Sequence, residues 1–231
     1  MELPKPLQQS KAELQQSLLN WYAVNRRDFP WRNTKNPFEV LLAEKLLQQT
    51  KARDIVVSVY SRLLTQYPTV QAIMNADLDE LREAIQPLGL AYRASEIKQM
   101  AAEIVESYGG EVPPSLEELL SLTGVGDYCA RAVLSLAYSQ DVPIVDTNVA
   151  RFLHRLCGIE KSLPANPARK KYLRCLATQL LPENTARDFN LAVLDLCASV
   201  CTSQNPQCRT CPLRGFCSYA LADASVRAAP S

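Results

Sequence analysis

The stretch "LTGVGDYCARAVLSLAY", residues 122–138, sets a Gly-x-Gly turn between two helical patterns. Glycine lets the turn adopt torsions closed to other residues and bares backbone N–H groups at the start of the next helix. Such a terminus attracts phosphate. Alone the signal is weak, because most Gly-x-Gly turns are plain connections. Outward from it the chain repeats one theme. Helical periodicity covers residues 10–25, 37–50, 51–66, 78–86, 91–108 and 115–122 on one side, and 147–157, 167–181 and 187–199 on the other. Ser10 stands where the first of these would be capped. Breakers separate them: Tyr67-Pro68, Pro87 to Gly89, Gly109-Gly110 and Gly124 to Gly126. The segment "RRDFPWRNTKNP" at 26–37 carries two prolines and reads as irregular. No strand alternation runs beyond three or four residues, so the expected fold is all-α, built from short helices. The first long helix is expected to pack with the last ones, leaving a central helical lobe, an assignment periodicity alone does not supply.

Composition narrows the class. The chain has 231 residues, enough for one large domain or two lobes, and 47% of them are hydrophobic, enough for a real core. A formal net charge of +1 gives no global basic field, which weighs mildly against nucleic acid and leaves room for a local patch. No run approaches a membrane span. The start, "MELPKPLQQSKAELQQ", has no apolar signal core. The expectation is an intracellular protein, in cytoplasm or nucleoid, with no membrane partner. In that setting eight cysteines read as ligands or buried thiols rather than disulfides. The single histidine, His154, makes a histidine base an unpromising centre for catalysis.

Three places can carry chemistry. In "LLAEKLLQQT", residues 41–50, the carboxylate Glu44 has Val40, Leu41, Leu47 and Gln48 one turn away. It is either a helix-edge charge that snorkels to water or pairs with Lys45 or a distant arginine, or a carboxyl whose pKa its surroundings raise, poised to donate a proton. In "VPIVDTNVARFLHRL", Asp146 precedes a helix and is in the first instance an ordinary N-cap. In "CTSQNPQCRTCPLRGFC", Cys201, Cys208, Cys211 and Cys217 follow the spacing C-x6-C-x2-C-x5-C. Four thiols so close together indicate a metal site. Spacing leaves zinc and a 4Fe–4S cube evenly open. Cys129, Cys157, Cys175 and Cys197 sit among aliphatics and read as small core residues, Cys197 the least securely because it lies near the loop. Between Cys197 and Cys217 there is no acidic residue, while Arg209 and Arg214 are present, a sign that suits a phosphate backbone.

Together and in this order, the three motifs resemble the helix-hairpin-helix DNA glycosylases of the endonuclease III superfamily (HhH-GPD), from residue 26 to Cys217. The cysteine spacing is similar to that family's iron–sulfur loop, which implies a 4Fe–4S cluster on Cys201, Cys208, Cys211 and Cys217. The family's architecture implies two helical lobes with the active-site cleft between them. One would be residues 29–140, with the helix-hairpin-helix at about 117–138. The other would be residues 1–28 plus 141–231, ending in the cluster loop 201–217. "DFPWR", "AEKLLQQT" and "VDTNVARFLHR" look like the mismatch-specific branch, which includes glycosylases for adenine opposite guanine or 8-oxoguanine and for thymine or uracil opposite guanine.

The resemblance implies roles for particular residues. Glu44 would protonate the leaving base or position the proton and water. Asp146 would stabilise or trap the sugar cation, the two-carboxylate division of labour of sugar hydrolases. Tyr128 stands where bifunctional members carry a Schiff-base lysine, which implies a monofunctional enzyme with Tyr128 bonding in the pocket. Gln48 would fill the hole left by a flipped base, with Gln49 and Thr50 beside it. Leu122, Gly124, Val125 and Gly126 would grip a backbone phosphate, in this family often with a monovalent cation. Arg209 and Arg214 would face DNA. The partner implied is double-stranded DNA with a mismatched or damaged base, bound by a monomer.

Some residues depart from the pattern. Thr123 replaces the usual proline of the hairpin, Asp127 puts an acid where a phosphate is expected, and "GLAYRASE" is short. "RDFNLAVLD", and a chain that stops soon after Cys217, look like the thymine branch. "EKLLQQT" looks like the adenine branch and, lying nearer the chemistry, tips the expectation slightly toward adenine. Remoter alternatives are a bifunctional glycosylase/lyase and a non-catalytic DNA-binding module.

Overall fold

The computed structural model describes residues 1–48, 53–89 and 91–222. Among them there is no strand. The α-helices are α1 (Lys5–Gln9), α2 (Lys11–Asn25), α3 (Pro37–Leu47), α4 (Arg53–Gln66), α5 (Val70–Asn75), α6 (Leu78–Ile85), α7 (Arg93–Tyr108), α8 (Leu116–Ser121), α9 (Asp127–Leu136), α10 (Thr147–Cys157), α11 (Lys171–Leu180), α12 (Ala186–Ser199) and α13 (Ser218–Ala222). The all-α expectation is met. The helix expected over 167–181 is split, with a 3-10 turn at Pro167–Arg169 ahead of α11. The irregular segment at 26–37 contains a 3-10 turn, Pro30–Arg32. Its Trp31 is buried, stacked on Phe29 and edge-on to Tyr60. Gln49 and Thr50, two of the expected DNA-facing residues, lie outside the described residues.

Local chemistry sets the helix ends. Asn36 caps α3, its side chain accepting from the N–H groups of Phe38 and Glu39, and Pro37 opens the helix where an N–H is dispensable. Asp77 caps α6 in the same way. Ser115 caps α8, its hydroxyl accepting from the Glu118 N–H at 3.3 Å and donating to the Glu118 carboxylate. Helix α7 closes at Gly109 (φ 63°), and the Gly110 N–H returns to the Ile104 carbonyl at 3.1 Å. Ser10 does not cap α2, contrary to the expectation: its hydroxyl donates to the Pro6 carbonyl, because the short helix α1 already occupies the preceding turn.

The chain divides into two compact units, residues 28–138 and residues 1–27 with 139–231. In the first, α3 is the central rod. Val40, Leu41, Leu42, Ala43, Glu44, Lys45 and Leu46 are all buried, so the helix is enclosed on every side, with α4 and α9 against it. Each enclosed leucine contributes about 1.5–3 kcal/mol relative to exposure. Helix α7 packs on α5 and α6, and α8 on α9. In the second unit α2 packs on α12, the pairing of early and late helices expected from the sequence, and α10 packs on α11, α12 and α13. Buried Asp195 of α12 accepts from the backbone N–H of Arg27 at 3.0 Å and pairs with its guanidinium.

Candidate active site and cysteine loop

The first group of candidate residues is built on α3 and α9. Glu44 is 6% exposed. The solvent-facing helix-edge reading of this carboxylate therefore fails, because α3 has no solvent edge. Glu44 lies close enough to the Cys129 thiol to act on it: burial pushes that thiol up first, and the Glu44 charge adds to the rise. Cys129 follows Tyr128, in the first turn of α9. The packing of α3 on α9 thus sets the Glu44 carboxyl beside the turn that carries Tyr128, which is half-buried. Gln48 ends α3, in an extended conformation.

The hairpin is a tight turn held from several sides. Gly124 takes a left-handed conformation (φ 70°), and a Cβ there would stand 2.2 Å from the Lys45 Nζ and 2.9 Å from a Glu96 carboxylate oxygen. Glycine is required twice, by torsion and by space. The Val125 N–H closes the turn onto the Leu122 carbonyl at 3.1 Å, and Val125 and Leu122 are buried while Gly124 and Gly126 are exposed. Gly126 is the N-cap of α9, so the first N–H groups of that helix follow directly.

The two departures in this turn have structural partners. Thr123 donates its backbone N–H to one Glu103 oxygen at 2.7 Å and its hydroxyl to the other at 2.6 Å. A proline could make neither bond. Burial raises the Glu103 pKa, but the Thr123 bonds, with one from Gln99, outweigh it and hold it below the ordinary value. Asp127 accepts from the Arg131 guanidinium at 2.9 Å one turn along α9, so its charge is met at short range.

Sequence reasoning missed how the hairpin is supported. The sequence offers Lys45 only as an ion-pair partner for Glu44. It is fully buried, and its ammonium donates to Glu96 at 3.0 Å and to the Gly124 carbonyl at 2.9 Å. Arg93, also buried, donates to the carbonyls of Lys45 and Gln48 at 3.0 and 2.6 Å, satisfying the C-terminal end of α3. Arg93, Glu96 and Glu103 stand at i, i+3 and i+10 on α7. That spacing puts three charges on one stripe and was the available signal.

The second group belongs to the other unit. Asp146 caps α10, accepting from the Val149 N–H at 2.7 Å and from the Asn148 amide at 2.8 Å. The N-cap reading of Asp146 is what the structure shows locally, and the carboxylate stays partly exposed. The segment leading to it is fixed by buried Asn190, which accepts from the Ile144 N–H at 3.2 Å and donates to the Val142 carbonyl at 2.9 Å. His154 is buried with its ring nitrogen 2.9 Å from the Tyr172 hydroxyl.

Helix α10 also carries the supports of the cysteine loop. Arg151 donates to the Cys201 carbonyl at 2.9 Å. Arg155 donates to the Cys201 sulfur at 3.4 Å and to the carbonyls of Thr202 and Ser203. Cys201, Cys208, Cys211 and Cys217 are free thiols that line one cavity, walled by Phe152, Leu156, Leu196 and Leu213 among others. Burial, with the neighbouring sulfurs, pushes Cys211 up to about 11, and burial raises Cys217 too. Among the described residues no three His, Cys, Asp or Glu side chains gather closely enough to hold one metal ion. The four cysteines lie along the wall of this one cavity, beside its apolar side chains. That donor set, apolar wall and adjacent guanidinium fit a polynuclear thiolate-bound group. Arg209 is exposed and Arg214 half-buried on this loop. Of the remaining cysteines, Cys129 and Cys197 are buried as expected, while Cys157 and Cys175 are only partly so.

Residues 42–179 match the family model described as HhH-GPD superfamily base excision DNA repair protein. A thymine-DNA glycosylase of Aeropyrum pernix is 40% identical over 210 residues, covering 89% of this chain and 93% of that protein. An adenine DNA glycosylase of Rattus norvegicus is 36% identical over 210 residues, covering 87% of this chain and 40% of that protein. The solved structure of a thermostable thymine-DNA glycosylase superposes with a TM-score of 0.86 at 32% identity, covering 92% of this chain and 97% of that one.

Proposed function

Because the chain belongs to the HhH-GPD superfamily of base excision DNA repair proteins, we propose that it is a monofunctional mismatch glycosylase removing thymine or uracil opposite guanine. It is a DNA glycosylase, an enzyme that hydrolyses N-glycosidic bonds in DNA. The finer substrate rests on one observation: the thymine-DNA glycosylase of Aeropyrum pernix is matched over nearly its whole length at 40% identity. A second reading, adenine opposite guanine or 8-oxoguanine, is favoured by the "EKLLQQT" segment that carries Glu44 and by the rat adenine enzyme at 36% identity.

The mechanism assigns the chemistry to two carboxyls of unlike surroundings. The Glu44 carboxyl, withdrawn from water, delivers a proton to the departing base or orders the proton and water that do so. The Asp146 carboxylate, partly exposed and held by the α10 N-terminus, places negative charge against the oxocarbenium sugar. Tyr128 offers a hydroxyl in place of an amine, so water rather than a lysine completes the reaction. Lys45 does not substitute for that amine, since its ammonium is buried and engaged by Glu96 and Gly124. A 4Fe–4S cluster on Cys201, Cys208, Cys211 and Cys217 would supply structural cross-linking of the loop to itself. Arg151 and Arg155 would tie that loop to α10, and so to the helix that Asp146 begins.

The test is excision from a panel of duplexes carrying T·G, U·G, A·G, A·8-oxoguanine or damaged pyrimidines, with strand scission after alkali. Thymine or uracil release supports the first reading and adenine release the second. Release from none removes both.

A further inference from the structure

The feature left over by this mechanism is a fully buried lysine under the hairpin. A lysine with no exposed surface is rare unless it is paired, and Lys45 spends its donors on two acceptors that matter: the Glu96 carboxylate at 3.0 Å and the Gly124 carbonyl at 2.9 Å. The Glu96 side chain is 39% exposed, so the pair runs from the core out to the surface. Glu103, two turns along the same helix, takes both donors of Thr123. Two consecutive hairpin residues are therefore fixed through polar bonds to α7 and α3, one by its carbonyl and one by its N–H and hydroxyl. The same α7 face reaches α3 again through Arg93, which holds the Lys45 and Gln48 carbonyls.

We propose that Lys45 is a positioning residue for DNA: through the Gly124 carbonyl, and together with the Thr123–Glu103 bonds, it sets the hairpin so that the N–H groups at the start of α9 meet a backbone phosphate. The proposal rests on the glycosylase reading above and goes beyond it by assigning the grip to groups that touch no DNA. The Gly124 carbonyl is bound by Lys45, the Thr123 N–H by Glu103 and the Val125 N–H by the Leu122 carbonyl, so the turn is fixed at three points just ahead of the N–H groups that open α9. A Cβ at position 124 would meet the Lys45 Nζ at 2.2 Å, so the ammonium's seat beneath the turn goes with a glycine there. Because Lys45 is the residue after Glu44 on the same helix, one rod carries both the hairpin's anchor and the candidate acid.

The experiment compares the full chain with Lys45→Met and Thr123→Val, each also carrying Asp146→Asn so that binding is read without excision. Affinity for a fluorescent mismatch duplex is measured from 50 to 200 mM salt, and single-turnover excision at saturating protein is measured on the Asp146 forms. The expected result for Lys45→Met is affinity about tenfold weaker, with the slope of log affinity against log salt shallower by about 0.9, one phosphate contact. The saturated excision rate stays within about threefold of wild type. Thr123→Val, which removes only the hydroxyl bond, shifts affinity the same way by about threefold. A merely structural lysine would lower the melting temperature and leave the salt slope unmoved. Wild-type affinity and slope in Lys45→Met overturn the proposal, as does a loss confined to the saturated rate. Should Lys45→Met not fold, Thr123→Val decides: a weaker, shallower binding curve supports the proposal and an unchanged one overturns it. A wild-type protein that neither binds nor excises any mismatch overturns the glycosylase reading, and this inference with it.

Discussion

Glu44 and Lys45 are adjacent, one acidic and one basic, and both buried, and because neighbours on a helix point about 100° apart, separate tasks are proposed for them. Asp146 joins two tasks in one residue. It is the N-cap of α10 and the candidate for steadying the sugar cation. Substitution separates them. Asparagine is as good a cap as aspartate, accepting from the Val149 N–H with the same geometry, whereas alanine is not. Asp146→Asn is therefore expected to keep the melting temperature and lower excision by at least about 100-fold, since it removes charge stabilisation of the transition state. Asp146→Ala is expected to lose about 1 kcal/mol of stability as well. Thermal melts beside single-turnover assays read both, and a drop in stability for Asn equal to that for Ala would contradict the division. The sequence displayed the capping role of Asp146 openly. The burial of Glu44 was not open to it: a helix-edge reading assumes a solvent face, and α3 has none once α4 and α9 close on it.

At the scale of elements, helix α7 is where structure added most. Its extent was legible, since apolar residues at Ala94, Ile97, Ala101 and Ile104 repeat at helical spacing and Gly109-Gly110 ends it. Its function was not, because Arg93, Glu96 and Glu103 look like ordinary solvated charges until their partners on α3 and the hairpin are known. Among the helices of five or six residues, α1, α5 and α13 were illegible because so few residues barely display a period, while α8 was legible at 115–122. Thr123 shows the same limit: in the sequence it is only a departure from a proline, and in the structure it is one half of a two-bond contact with Glu103. That contact has a pH signature. The folded-state Glu103 value lies below its unfolded value, so its stabilisation is present above the ordinary carboxylate range and is lost as pH falls through the folded value. Glu103→Gln is expected to cost about 1 kcal/mol near neutral pH. The gap from wild type should close as the pH falls below the ordinary glutamate range and through the lowered folded-state value. Melts of both proteins across pH check it, and a gap that persists in acid would contradict the role given to the carboxylate.

For the whole molecule, the all-α class and the motif order were readable because each rests on periodicity or spacing within the chain, whereas the early-with-late helix pairing, seen in α2 on α12, is not something periodicity alone supplies. What fills the cysteine loop is a matter of donor geometry. Four half-buried thiols lining an apolar cavity, with the Arg155 guanidinium on Cys201, predict a brown, iron- and sulfide-containing protein. Iron and acid-labile sulfide analysis checks this, and a colourless protein holding one zinc would contradict it. Because Arg151 and Arg155 fasten the loop to α10, removing the metal is expected to lower excision through Asp146's helix and to depress the melting temperature together. The proposed function requires that two carboxyls, with no amine, cleave a mismatched base from DNA by hydrolysis. Excision by metal-loaded protein on T·G and U·G duplexes, with and without alkali and in the presence of borohydride, decides this. Base release, strand breakage only after alkali, no trapped adduct, and loss of release in Asp146→Asn and Glu44→Gln are the expected results. Breakage without alkali accompanied by a trapped covalent adduct, or release undiminished in Asp146→Asn, would contradict it.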